Sequence, residues 1–454
     1  MKQSQLHLGR AGAAGALALL LALLRPAAAP AEAPLMRDFM GINGHFTFKP
    51  ALYRPTCALV RNYHPTSWDL GGDTSRTVAF PLAQNKVDWS EVYGSWKKEG
   101  YTIDACLQFE SIPAASWRDV KKDAFAYGEA FARYFGPSSH NLVTSVEIGN
   151  EPAKWNDAAY RDVFENMARG ARAGDPGMKV VTAAAAAGTP DAYSKGVAVF
   201  KGLADLYDVL NIHTYSMIEG WPTWRRVNPE HPGIPYLKAV ADMAAWRDAE
   251  APGKEIWITE FGYDAGTKTG TGDFARWVSA SETEQAQWIV RSFLVFSSLG
   301  VDRAYLYYYD DKDEPSFHAS SGITRNFVPK PAYYAMAHLS RALGDYRFSR
   351  VVVQRPDDLY VFEYLAPGKP DEPVWVAWSP TGTQRETVQS LAVPGAVVKA
   401  ERMPLRDGPP ETVAVTAGAG GVELPVGESP TYLWLRKPGG AAPSPLTSPP
   451  GAGG

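Results

Sequence analysis

Eight short segments with the twofold alternation of β-strands follow one another between Phe39 and Asp310. They lie near Ile42, Val60, Ile103, Val146, Val181, Ile212, Ile258 and Tyr305. Segments of helical spacing fall between most of them or close the series, over residues 89–99, 119–135, 158–173, 236–249, 282–299 and 332–343. Strands that alternate with helices run parallel, because each helix carries the chain back to the same end of the sheet. Eight such strands close on themselves. The expected fold class is therefore α/β, a (β/α)8 TIM barrel, with chemistry at the carboxyl ends of the strands.

The barrel is expected over residues 34–345. Beyond about Tyr346 the texture changes to short strands such as Leu359–Leu365, Val374–Trp378 and Thr431–Arg436, separated by Gly, Pro and Asp clusters. That pattern predicts a small antiparallel β-sandwich over 346–437, packed on the barrel's flank away from its mouth. Residues 438–454 are Gly, Pro, Ala, Ser, Leu and Thr and are expected to be unstructured. At the other end, Lys2 and Arg10 precede an Ala/Leu/Gly run from Ala11 to Leu24. Residues 1–33 read as a secretory signal, with an uncleaved membrane anchor as the alternative, which places the protein outside the cytoplasm or at the cell surface.

Composition narrows the partners. A net charge of −4 without a basic block excludes a nucleic-acid footprint. No histidine or cysteine cluster has metal-ligand spacing, and no glycine-rich phosphate loop follows a strand. Cys57 and Cys106 are the only cysteines. They are expected as buried thiols, with pairing in an oxidising compartment as the alternative.

Two of the strands end in a glutamate. Thr144-Ser-Val-Glu-Ile-Gly-Asn-Glu151-Pro152 is a strand stopped by a proline that cannot donate to the ladder. Glu255-Ile-Trp-Ile-Thr-Glu260-Phe-Gly262 repeats the arrangement, and simple alternation puts Ile256, Ile258 and Glu260 on one face. Two carboxyl groups, each at the carboxyl end of a strand, are what double-displacement cleavage of a glycosidic bond requires, one as acid/base and one as nucleophile. The nucleophile must stay ionised, which a guanidinium and a tyrosine hydroxyl would favour, while the acid must hold a proton near neutral pH. The partner would be a carbohydrate and no cofactor is needed.

These motifs resemble clan A of the retaining glycoside hydrolases, whose acid/base follows strand four and whose nucleophile follows strand seven. The barrel with a following sandwich is similar to family 39 and its relatives. By that resemblance Glu151 is the acid/base and Glu260 the nucleophile. Asn150 matches the asparagine that holds the sugar 2-hydroxyl, Arg61 an arginine bonded to the nucleophile, and His213 with Tyr215 the polar pair beside it. For Arg61 the plainer alternative is an ion pair with Glu147. Strand eight departs from the clan pattern, with Tyr305, Tyr307, Tyr308, Tyr309 and Asp310 where many members carry a tryptophan. Aromatic rings stack on sugar faces, so Trp155, just after Glu151, and Trp221, in the long loop after strand six, are candidate platforms. His64, Gln108, Tyr307 and Asp310 are candidate sugar contacts. The expected function is a secreted retaining β-glycoside hydrolase acting on an oligo- or polysaccharide. A transglycosylase using the same residues, or a binding protein that kept the barrel, are the alternatives.

Overall fold

The computed structural model describes residues 32–438. The expected leader and the expected unstructured tail lie outside the described residues. The eight barrel strands are Met40–Gly44, Leu59–Pro65, Thr102–Gln108, Ser145–Ile148, Lys179–Ala186, Val209–His213, Glu255–Phe261 and Arg303–Leu306. Every neighbouring pair is parallel, and the ring closes where Met40 pairs with Ala304. Helices Val120–Phe135 and Asp157–Gly174 start at Asp119 and Asn156, whose side chains accept from Lys122 and Ala159 amides. Helix Glu282–Ser297 opens on a reciprocal Ser281–Glu284 capping box. Between strands five and six the chain makes the two-residue strand Lys195–Gly196 and the 3-10 turns Val197–Phe200 and Ala204–Leu206, so no α-helix lies in that connection. No helix among the described residues is long and apolar enough to cross a membrane.

The barrel interior is layered. Leu59, Val181, Val209, Trp257 and Tyr305 form an apolar layer. One residue pair further along the strands the lining turns polar, with Arg61, Asp104, Glu147, Asn211 and Thr259 all fully buried. Apolar packing thus closes one end, and hydrogen-bonding side chains support the strand mouths at the other. Cys57 and Cys106 are buried free thiols.

The chain after the barrel forms two antiparallel sheets. One contains Arg347–Arg355, Leu359–Leu365, Val374–Trp378, Thr431–Arg436, Ala396–Arg402 and Glu411–Thr412; the other contains Thr387–Leu391, Gly421–Val426 and Thr416–Gly418. Strand Leu359–Leu365 is apolar on both faces for a reason. Tyr360, Phe362 and Tyr364 join the barrel's core, while Leu359 and Val361 join the core between the two sheets. The junction also holds a buried charge cluster. Arg291, on helix Glu282–Ser297, binds Glu230 (Nε to Oε1, 2.9 Å) and Glu428 (Nη1 to Oε2, 3.1 Å), and donates to the Thr381 carbonyl at 3.1 Å. Removing one member of such a cluster strands the other charges away from water. Arg291→Met should therefore lower unfolding free energy by ~3–5 kcal/mol in denaturant melts. A loss below about 1 kcal/mol would show that the cluster does not tie the sandwich to the barrel.

Candidate active site

Strand two supplies the centre of the site. Leu59, Arg61 and Tyr63 share the inward face by simple alternation. All five N–H bonds of the Arg61 guanidinium find acceptors. Nε and Nη2 grip the two oxygens of Glu147 at 2.8 and 2.7 Å, Nη2 also donates to Asn150 Oδ1 at 2.7 Å, and Nη1 donates to Asn43 Oδ1 at 2.8 Å and Glu260 Oε1 at 3.1 Å. Arg61 thus forms an internal ion pair with Glu147 and also contacts Glu260.

Glu151 reaches the mouth through Gly149, whose φ of +87° turns the chain after strand four. A side chain there would meet the Phe109 ring at 2.5 Å, so the turn needs glycine. Glu110 steadies the same turn, its Oε1 accepting from the Asn150 amide at 2.8 Å.

Glu260 reaches the mouth by a different route, and here simple alternation fails. Ile256 and Ile258 pack outward under the helices, while Trp257 lies in the interior layer and Thr259 bonds to inward-facing Asn211. Register breaks between Ile258 and Phe261 on one side and at His213 on the other insert a bulge, which swings Glu260 inward after Thr259. Once inside, Glu260 Oε1 accepts from Tyr63 at 2.6 Å and Oε2 from Tyr215 at 2.8 Å. Burial would push the Glu260 carboxyl up. His213, Arg61 and the two tyrosine hydroxyls outweigh it and hold the carboxyl well below its usual range.

His213 sits between the two glutamates. Its Nδ1 is 2.9 Å from Glu151 Oε1 and 3.6 Å from Glu260 Oε2. Its other nitrogen meets Thr259 Oγ1 at 2.9 Å, and that hydroxyl donates to Asn211 Oδ1 at 2.6 Å. Thr259 must therefore accept from Nε2–H, and the contact between Nδ1 and Glu151 holds a proton. Burial lowers the His213 pKa, but Glu260 and Glu151 raise it further, for a net upward shift. Single oxygens of Glu151 and Glu260, with His213 Nδ1, lie within 4.8 Å of one another. Among the described residues this is the one acid/His/Cys group spaced closely enough to ligate a cation, but the Arg61 charge on Glu260 opposes one.

The glutamates open on a cavity of about 370 Å³ lined by Tyr63, Gln108, Asn150, Tyr215 and Tyr307, with His45 and His318 on its walls. Burial, then the Arg226 guanidinium, pushes the His318 imidazole down to about 4, so it is neutral at pH 7. The Tyr307–Tyr308 peptide bond beside it is cis.

Of the residues singled out from the sequence, Glu151, Glu260, Asn150, Tyr215, Tyr307 and Gln108 line this cavity, and Arg61 and His213 bond its carboxylates. Four others lie elsewhere. His64 is three residues from Arg61 and so faces outward, buried against Trp89 and bonded to Tyr93 (2.7 Å) and Asp69 (2.7 Å). Trp155 is a core residue packed on Phe109 and Trp117. Trp221 is 73% exposed on its loop and does not line the cavity at the two glutamates. Asp310 lies beyond strand eight, which ends at Leu306, and its Oδ1 accepts from Thr324 (2.6 Å) and the Phe327 amide (2.6 Å). Tyr63, His45 and His318 were not singled out. Tyr63 carried a usable signal, since it lies two residues from Arg61 on the same face. His45 and His318 sit on loops with no period to read.

Beneath the site, burial and the Glu147 charge push the Asp104 carboxyl up to about 7, and burial pushes Glu110 to about 7 as well. The folded protein then holds protons that the unfolded chain releases near pH 4. Its stability should fall as pH rises from about 4 to 7, by on the order of 4 kcal/mol per group, and level off above. Asp104→Asn should remove about half of that slope in urea midpoints taken between pH 5 and 8. An unchanged slope would rule Asp104 out as a proton holder.

No protein-family model matches the sequence. No curated protein matches it either. Solved structures do match in fold. A family 39 glycoside hydrolase from the gut symbiont Bacteroides cellulosilyticus superposes with a TM-score of 0.68 at 17% identity, over 89% of this chain and 81% of its own. A bifunctional glucanase-xylanase from a metagenome library gives 0.62 at 12% identity, over 89% and 97%. A family 51 α-L-arabinofuranosidase from Bifidobacterium longum gives 0.58 at 12%, over 90% and 97%. At these identities the shared property is the architecture, and this chain has the (β/α)8 barrel with accompanying β-sheets found in clan A glycoside hydrolases.

Proposed function

We propose that the protein is a retaining β-glycoside hydrolase in which Glu260 is the nucleophile and Glu151 the acid/base. The observation that carries this reading is the pair of carboxyl oxygens within 4.8 Å of each other in unlike surroundings. That spacing suits retention, because inversion needs room for a water and a separation of roughly 6.5–9.5 Å. Glu260 is 7% exposed and held anionic by Arg61, Tyr63 and Tyr215, whereas Glu151 is 26% exposed and shares a proton with His213. In the first step Glu260 attacks the anomeric carbon. The glycosidic C–O bond breaks with its electron pair staying on the leaving oxygen, which takes the proton from Glu151. In the second step Glu151, now a carboxylate, removes a proton from water as the water attacks the ester, and Glu260 leaves as carboxylate. His213 follows this cycle as a proton partner of Glu151. The Ala/Leu run behind Lys2 and Arg10 supports export of the enzyme.

The test is a panel of aryl β-glycosides and plant, algal and bacterial polysaccharides, with the first-formed anomer of each product followed by proton NMR. The expected result is turnover of at least one β-linked substrate with the β-anomer appearing first. First appearance of the α-anomer would remove Glu260 as nucleophile, and no turnover across the panel would remove the hydrolase reading.

A further inference from the structure

A second cavity, of about 760 Å³, lies behind Glu151. It is twice the size of the first and differs in chemistry. Its walls are the end of strand five, the end of strand six and the start of helix Tyr236–Glu250. Ala186, Ala187, Ile212, Met217, Ala239 and Phe317 give it an apolar lining. Several polar residues on the wall are already engaged, while the Thr189, Tyr193 and Ser194 hydroxyls have no hydrogen-bond partner among the described residues. Thr214 donates to the Tyr236 carbonyl at 3.2 Å, Lys238 pairs with Asp242 at 2.6 Å, and the Tyr236 hydroxyl donates to Ser292 at 3.1 Å. Asp191 accepts from the Tyr193 and Ser194 amides at 2.8 and 2.7 Å, which shapes the rim.

The two cavities share Glu151, Tyr215 and His318, whereas Glu260 lines only the smaller, polar one. On the function proposed above, the sugar ring sits where Glu260 can reach its anomeric carbon, in the polar cavity. The leaving oxygen must lie within hydrogen-bond reach of Glu151, so whatever that oxygen carries extends into the second chamber. A sugar there would need convergent partners for several hydroxyls, and the lining offers few that are not already paired. An alkyl or aryl group would bury its surface without that cost. We infer that the chamber behind Glu151 receives an apolar aglycone, and that the preferred substrates are glycosides of hydrophobic alcohols or phenols.

The test has a binding arm and a kinetic arm. Calorimetric titration with 2-naphthol, an aglycone without a sugar, should show binding to the wild type. Ala239→Trp, which fills the chamber from helix Tyr236–Glu250, should weaken that binding at least tenfold. Ala187→Phe fills it from the opposite loop and serves if the first variant does not fold. In the kinetic arm, a series of n-alkyl β-glycosides from ethyl to hexyl, on whichever sugar the panel selects, keeps leaving-group basicity nearly constant. Each methylene should raise kcat/KM by about fourfold, and either filling variant should flatten the series. A flat wild-type series without naphthol binding, or a disaccharide of the same sugar cleaved faster than the hexyl glycoside, overturns the aglycone assignment and leaves the hydrolase reading intact. Naphthol binding without cleavage of any glycoside overturns both.

Discussion

Glu260→Ala should abolish turnover of every glycoside, with kcat falling on the order of 10⁶-fold. The loss is this large because the cavity's other carboxyl, Glu151, acts on the leaving oxygen and is not placed to take over the attack on the anomeric carbon. The residues bonded to or touching Glu260 are Arg61, Tyr63, Tyr215 and His213, and none of these is a carboxylate. The variant should still fold, since Arg61 keeps its bonds to Glu147, Asn150 and Asn43. Far-ultraviolet circular dichroism checks that point. The space left beside Arg61 suits a small anion, so azide should restore part of the activity and give an α-glycosyl azide. Wild-type rates in Glu260→Ala would place the chemistry elsewhere in the molecule.

Glu151→Ala should fail in another way. A dinitrophenyl glycoside has a leaving group that needs no proton, so the glycosyl-enzyme should form quickly and release one equivalent of phenol in a burst. Turnover should then stall, with kcat down ~10²–10⁴-fold, because the base for the second step is missing. Glycosides of poor leaving groups should lose activity already in the first step. Azide should relieve the stall and give a β-glycosyl azide, the opposite anomer from the Glu260 variant. If the α-azide came from Glu151→Ala and the β-azide from Glu260→Ala, the roles of the two residues would be exchanged.

The contrast between His64 and Tyr63 shows what strand periodicity can decide. Arg61 faces inward, so Tyr63 must also face inward and His64 must not. That inference was available from the sequence and assigns both residues correctly. It fails at Glu260 because a bulge adds a residue between Ile258 and Phe261, and no local signal in Trp-Ile-Thr-Glu-Phe marks it. Trp155 illustrates a different limit. A tryptophan three residues past a strand-ending Pro can cap a core or face a sugar, and only the positions of Phe109 and Trp117, from another loop, choose the core.

By itself the sequence determined the number and order of the barrel strands, the change to antiparallel sheets near Tyr346 and the placing of Glu151 and Glu260 at strand mouths. These follow from local patterns, in which side-chain period and Pro, Gly and capping residues act within a few positions of one another. Tertiary structure decided which oxygen each hydroxyl and guanidinium faces, that His213 belongs with Glu151 as much as with Glu260, and that a second, apolar chamber opens behind the acid/base. Those are distances between residues 40 to 200 positions apart in the chain, such as Arg61 and Glu260 or Glu151 and Ala239. They are set by how eight strands shear around a closed ring and where one bulge falls, and no local pattern of side chains records either.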